Sequence, residues 1–176
     1  MAIRKIVPID HPILTMEIPP SIWANGSEAH QMIKDLGSDM FETCLRFGGM
    51  GLAANQVGAN VRMFVMIGKD LQTYLFINPE IVKASVKKIS RPEGCLSMPS
   101  YSFDIERSSS VEVRFQNHDG VWLRGEFHGE DARCVQHEID HLNGIRHIDH
   151  LGPLKRKMAL DKFHKEFARR KKLMKA

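Results

Sequence analysis

The sequence predicts one α+β domain followed by a basic C-terminal helix. Apolar residues recur at helical spacing near the N-terminus and again over residues 130–143. Strand-like runs fill residues 61–127 without a helical stretch between them, and a block of cations follows Gly152-Pro153. Strands that succeed one another without crossover helices are expected to pair antiparallel. A length of 176 residues, with 43% hydrophobic and 26% charged residues, fits one globular domain and excludes a disordered or coiled-coil chain.

The elements follow in order. After Pro19-Pro20 and a turn at Asn25-Gly26, a stripe of Ala29, Met32, Ile33, Leu36, Met40, Phe41, Cys44 and Leu45 marks a helix. Ser27 is its expected N-cap and Gly48 its end. Cys44 lies on the stripe and reads as core filler, the usual role also of several of the ten Met. Strands are expected from Met63 to Ile67, Tyr74 to Ile77, Ile81 to Ile89, Val111 to Asn117 and Val121 to Phe127. The last two alternate across Asp119-Gly120 as a hairpin. A second helix runs from Glu130 to Asn143 and closes at Gly144, with Ala132, Val135, Ile139 and Leu142 on one side. The third follows Pro153, with Leu160, Phe163, Phe167 and Met174 as its apolar side. These elements divide the chain into residues 1–150 and a helical tail, 151–176.

No apolar run approaches the roughly 20 residues of a membrane span, and the N-terminus shows neither a secretory h-region nor a transit peptide. A soluble, cytoplasmic chain with no membrane partner is expected. Three cysteines are too few for a disulfide framework, so a reducing compartment is expected too. The net charge of +4 conceals an asymmetry: from Leu151 onward ten Lys and Arg face two acids, leaving +8 on the tail and −4 on the body. Such a tail suits either a polyanion or simple solvation.

The chemistry concentrates in His137-Glu138-Ile139-Asp140-His141, within the second helix. Histidines four apart are displaced by about 6 Å along the axis and about 40° around it, so both rings can reach one divalent cation. Both point away from the Val135, Ile139 and Leu142 stripe. Glu138 flanks them, placed to move protons beside an ion. A catalytic site of this kind takes three protein ligands and leaves a position open. Cys95, in the turn-like segment Pro92–Pro99, is the better third donor; Cys134 competes from the same helix but reads as pocket lining, and His147, His150 and Glu166 stay open. A further segment, Gly48 to Gly58, is rich in small residues that let a ligand approach, and Gln56 within it can donate to a developing oxyanion. It lacks the Lys and Ser/Thr of a phosphate loop.

Three segments together, Gly49-Met50-Gly51-Leu52-Ala53-Ala54-Asn55-Gln56, Glu93-Gly94-Cys95-Leu96-Ser97 and Gln136-His137-Glu138-Ile139-Asp140-His141, resemble the signature motifs of peptide deformylase in family order. The similarity begins at Asp10-His11-Pro12-Ile13-Leu14, passes through Ile77-Asn78-Pro79-Glu80-Ile81 and reaches Asp149. The resemblance implies the deformylase fold, small antiparallel sheets around a central metal-binding helix with a C-terminal helix. It implies metal-dependent hydrolysis of the N-formyl group of formyl-methionyl nascent peptides, with release of formate. Cys95, His137 and His141 are then the ligands, with water in the fourth position. Glu138 is general base and then acid, while Gln56 and the Leu96 N–H stabilise the oxyanion. Met50, Gly51 and Gly94 hold the substrate backbone, Cys134 lines the methionine pocket, and Glu93 with Arg107 forms a structural ion pair. Ligand chemistry alone suggests zinc. The resemblance implies Fe²⁺, with Zn²⁺, Ni²⁺ or Co²⁺ able to substitute.

The resemblance also implies that the basic helix docks on the ribosome, with no specific DNA partner. Several positions depart from the family pattern. Glu130-Asp131 puts charge where an apolar pocket rim is usual, Ser100 and Ser102 stand near the substrate in place of Gly or a basic residue, and Arg146-His147 replaces an apolar pair. Two other readings compete. A metalloprotease wants a third His or Glu ligand, and a nucleic-acid or ribosome-binding module with a structural metal wants four protein ligands and no role for Glu138.

Overall fold

A computed structural model describes residues 2–22 and 26–173, with side chains up to residue 169. Asn25 of the expected turn and Met174 of the tail stripe lie outside the described residues. Among the described residues, three α-helices and seven strands form the fold: α1 (Glu28–Arg46), β1 (Gly51–Ala53), β2 (Met63–Ile67), β3 (Thr73–Ala84), β4 (Lys88–Gly94), β5 (Ser102–Ser108), β6 (Ser110–Gln116), β7 (Trp122–His128), α2 (Gly129–Leu142) and α3 (Pro153–Leu173). All strand pairs are antiparallel. One sheet has the order β1-β2-β3-β6-β7, and β4 with β5 forms a separate ribbon.

The helices begin and end for local reasons. The Ser27 hydroxyl accepts from His30 N–H at 3.1 Å and caps α1, and Gly48 beyond its C-terminus takes φ +69°, a conformation costly for other residues. Gly144 does the same after α2 at φ +73°, where any Cβ would lie 2.9 Å from the Thr15 backbone.

Two strand expectations are corrected. Tyr74–Ile77 and Ile81 onward belong to one strand, β3, whose register shifts near Asn78 and Pro79; the run expected to reach Ile89 stops at Ala84, and a new strand, β4, starts at Lys88. Asn78 holds the irregularity at φ +51°, its amide donating to Ser21 O and Gln116 Oε1 at 2.8 Å each. The turn-like segment from Pro92 is in part strand, since β4 continues to Gly94; Pro92 is tolerated because β4 has a single neighbour. β5 was not expected, although Phe103, Ile105 and Arg107 alternate inward along it.

Three apolar clusters fix the layers. Ala132, Val135, Ile139 and Leu142 of α2 pack on Phe64, Phe76, Val113 and Phe115 of the sheet. Phe64 and Phe76 lie opposite each other in register and stack at 4.3 Å. Ile33, Met40 and Cys44 of α1 cover Leu52, Met63 and Val65 on another side, so Cys44 is core filler. Ala159 and Phe163 of α3 join Ile9, Leu14, Met98, Ile148 and Cys95. Phe167, assigned to the tail stripe, is instead about half exposed. With its apolar face spent on the sheet, α2 turns its two histidines toward the β4–β5 ribbon.

Candidate metal centre

Cys95 follows β4 directly, and His137 and His141 sit one turn apart on α2. Cys95 Sγ lies 3.2 Å from His141 Nε2, which lies 3.1 Å from His137 Nε2. Among the described residues these three form the group of His, Cys and acidic donors whose ligand atoms all fall within 4.8 Å of one another, and all three are buried. Donors about 2.0 to 2.3 Å from a tetrahedral ion are roughly 3.3 to 3.7 Å apart, so the observed spacings fit one divalent cation to within a few tenths of an ångström. Cys134, His147, His150 and Glu166 stand outside the group. A soft thiolate with two imidazoles suits a first-row transition ion.

The second layer orients the ligands. His137 Nδ1–H donates to Glu93 Oε1 at 2.6 Å, which leaves Nε2 with its lone pair toward Cys95 and His141. Glu93 also accepts from Arg107 at 2.8 and 3.1 Å and from Arg133 Nη1 at 3.1 Å. Burial opposes ionisation of Glu93, but the hydrogen bonds from His137 and Arg107 outweigh it and hold the carboxyl far below the usual range. Arg107 reaches on to Asp140, and Asp140 accepts from His150 Nε2 at 2.7 Å. The expected Glu93–Arg107 pair is thus one edge of a larger network that ends on a ligand. Burial pushes the His141 imidazole well below its ordinary value, toward the neutral form a metal needs. Asn55 Nδ2 donates to His141 O at 2.6 Å and steadies that turn.

Glu138 is buried, and its Oε2 has no hydrogen-bond partner. Burial pushes its carboxyl up to about 7. Such a group exchanges protons near neutrality. The backbone of β1 runs against it: a Cβ on Gly51 would lie 2.6 Å from Glu138 Oε1 and 2.7 Å from Cys134 Sγ. Only glycine fits there. Gln56 is held by its own carbonyl, which accepts from Ala53 N–H at 2.9 Å, and its Nε2 donates to Cys95 Sγ and Ser97 Oγ at 3.3 Å each.

A cleft of about 530 Å³ opens over these groups. Met50, Gly51, Gln56, Gly94, Leu96, Cys134, His137 and Glu138 line it, so the geometry brings the sequence-derived site residues together. Ser100 and Ser102 line it as well, and so does Glu130, whose charge is met by Arg91 at 2.6 Å. His147 is buried behind the ligands, its ring 6.0 Å from that of His137, and burial pushes its imidazole down to about 3. Arg133, Ser97 and Asn55 were missed as supports. Arg133 had one signal, its place four residues before His137 on the same helical face.

The family model described as Polypeptide deformylase matches residues 3–157. The peptide deformylase of Brucella suis biovar 1 is 38% identical over 169 residues, covering 94% of each chain. A crystal structure of the Ehrlichia chaffeensis peptide deformylase superposes with a TM-score of 0.86 at 33% identity, over 98% of this chain and 99% of that one. The Legionella pneumophila peptide deformylase gives a TM-score of 0.84 at 35% identity, over 97% and 98%. On this agreement of sequence and structure along almost the whole chain, it belongs to the polypeptide deformylase family, hydrolases that deformylate nascent peptides.

Proposed function

We propose that Cys95, His137 and His141 hold the divalent cation of a peptide deformylase and that Glu138 moves the protons. The observation that carries this reading is the convergence of three buried donors beside a carboxyl whose second oxygen has no partner, at the floor of one cleft. The cation, Fe²⁺ in the cell with Zn²⁺, Ni²⁺ or Co²⁺ able to substitute, supplies Lewis acidity toward the formyl oxygen and the attacking water. Glu138 takes a proton from that water as its oxygen bonds to the formyl carbon. It then passes the proton to the departing amine nitrogen as the carbon–nitrogen bond breaks, which gives formate and a free methionyl N-terminus. The Gln56 Nε2 and the Leu96 N–H stabilise the oxyanion. Met50, Gly51 and Gly94 hold the peptide backbone. Support comes from β1, which pairs with β2 alone and leaves its other edge for an extended strand. Cys134 lines the pocket for the first side chain.

The reading divides the chain into a catalytic domain, residues 1–150, and a basic helix, 151–176, packed on it. Lys155, Arg156, Lys157, Lys162, Lys165 and Arg169 are all exposed while Ala159 and Phe163 face the body, which supports docking of α3 on ribosomal phosphates in the cytoplasm. Among the described residues no helix is long and apolar enough to cross a membrane. The test is turnover of a short formyl-Met peptide by anaerobically purified, iron-loaded protein against Glu138→Ala. A loss of about 10²- to 10⁴-fold in kcat with metal still bound is expected. Undiminished turnover in that variant contradicts the assignment.

A further inference from the structure

The cleft has two unlike ends. Toward Phe47 and Met50 it is open, these side chains being 54% and 42% exposed. Along α2 it continues from Glu138 past Cys134 and Arg133 to Glu130, where Cys134 and Arg133 are 8% and 7% exposed. With Cys134 lining the pocket for the first side chain, as proposed above, that side chain enters along α2 toward Glu130 and the rest of the peptide leaves past Phe47 and Met50. The α2 end terminates in charge close to solvent, the Glu130 and Arg91 side chains being 31% and 59% exposed. Arg133 is committed to Glu93, Ile105 O and Ile89 O. Glu130 is not so saturated: Arg91 Nη1 donates to its Oε1 at 2.6 Å, and the residue lines the cleft. Arg91 lines an adjoining recess of about 140 Å³ that also contains Glu130 and Arg133, so it anchors the carboxylate from behind.

From this placement we infer that Glu130, fixed by Arg91, is a specificity-determining residue for the first side chain. The inference rests on the cleft being the deformylase substrate site. A carboxylate at the pocket end forms a charge-assisted hydrogen bond with an unbranched side chain that ends in a donor, and offers nothing comparable to a hydrocarbon end. The substrate class it adds is formylated peptides whose first residue is unbranched, of methionine length and terminated by an amide. In an apolar pocket of the same shape such an amide would lose its water without replacement and be rejected about 100-fold.

The experiment measures kcat/KM for formyl-Gln and formyl-norleucine tripeptides, side chains of nearly equal length, with formyl-Met turnover as the control for the deformylase reading. Calorimetric binding of the same two peptides to Glu138→Ala gives a second readout independent of turnover. Glu130→Leu is expected to lower the Gln-to-norleucine ratio by about tenfold or more. Arg91→Leu, which leaves the acceptor in place, lowers it less. If the leucine variant does not fold, Glu130→Gln keeps the size and removes the charge, and a fall in the same direction is expected. A ratio that either variant leaves unchanged, while formyl-Met is still turned over, overturns the inference. Absence of formyl-Met turnover in the metal-loaded wild type overturns the deformylase reading instead.

Discussion

Helices α2 and α3 are both rich in charge, yet one is the centre of the molecule and the other its rim. Ten of the fourteen residues of α2 are buried, among them Arg133, His137, Glu138 and His141. Among the described side chains of α3 the buried ones are Ala159 and Phe163, with cations around them. The difference is one of compensation. On α2, Arg133 and His137 are answered by Glu93 and Asp140 by Arg107, and Gln136 ties the helix to Ser108 through both its N–H and its carbonyl. The charges on α3 have water. Function placed on a buried helix thus needs a network from elsewhere in the chain, and that network becomes part of the site.

The largest effect should come from breaking the network at its hub. Glu93→Gln leaves Arg107 and Arg133 buried without their shared counter-charge and weakens the acceptor of His137. Stability is expected to fall by about 3 to 5 kcal/mol. Metal affinity should drop about 10- to 100-fold, measured by denaturant unfolding and by competition with a chelator. Next comes Gly51→Ala, where the new Cβ meets Glu138 and Cys134 at 2.6 and 2.7 Å. It should cost about 1 to 3 kcal/mol and depress turnover, because the carboxylate must move. Wild-type turnover in this variant would place β1 farther from Glu138 than the fold does.

Asp149 tests the junction between the two helices. Burial works against its carboxylate, but Arg146, through side chain and N–H, and Arg156 hold it below its ordinary value of 3.8. Because the folded value is the lower one, its contribution is complete above the unfolded value and fades as pH falls through and below about 4. Asp149→Asn should therefore be less stable than wild type at pH 7, with the gap in Tm closing toward pH 3. A gap that widens in acid would reverse the assignment. The smallest stability change is expected on α3: replacing Lys155, Lys157 and Lys165 by Ser should alter stability by at most about 0.5 kcal/mol each. Cosedimentation with ribosomes should nevertheless weaken and become less sensitive to salt. Unaltered cosedimentation would leave those charges to solvation.

The same contrast explains what the sequence disclosed. The metal helix was legible because its apolar stripe, its histidine spacing and Gly144 agree with one another, and Cys95 stood out as a thiol in a segment beside a strand. Glu93, Arg107 and Arg133 lie 14 to 40 residues apart along the chain, so their meeting is set by the β4–β5 register and not by any local pattern. The pairing of Glu130 with Arg91 was hidden for the same reason, at a separation of 39. β5 escaped notice because Ser102, Asp104, Glu106 and Ser108 interrupt its apolar residues, though the alternation is that of a strand with one face wet. His147 stood open as a ligand candidate in place of an apolar residue, and only the packing of Phe103 and His137 around it shows that it is core.

In the proposed centre one thiolate and two imidazoles share a single cation with a position left open. X-ray absorption on the iron-loaded protein tests it most directly. The expected spectrum has one sulfur at about 2.3 Å, two nitrogens at about 2.0 to 2.1 Å and a fourth light donor that exchanges with added ligand. A spectrum without sulfur, or with a fourth protein donor that no ligand displaces, would contradict it.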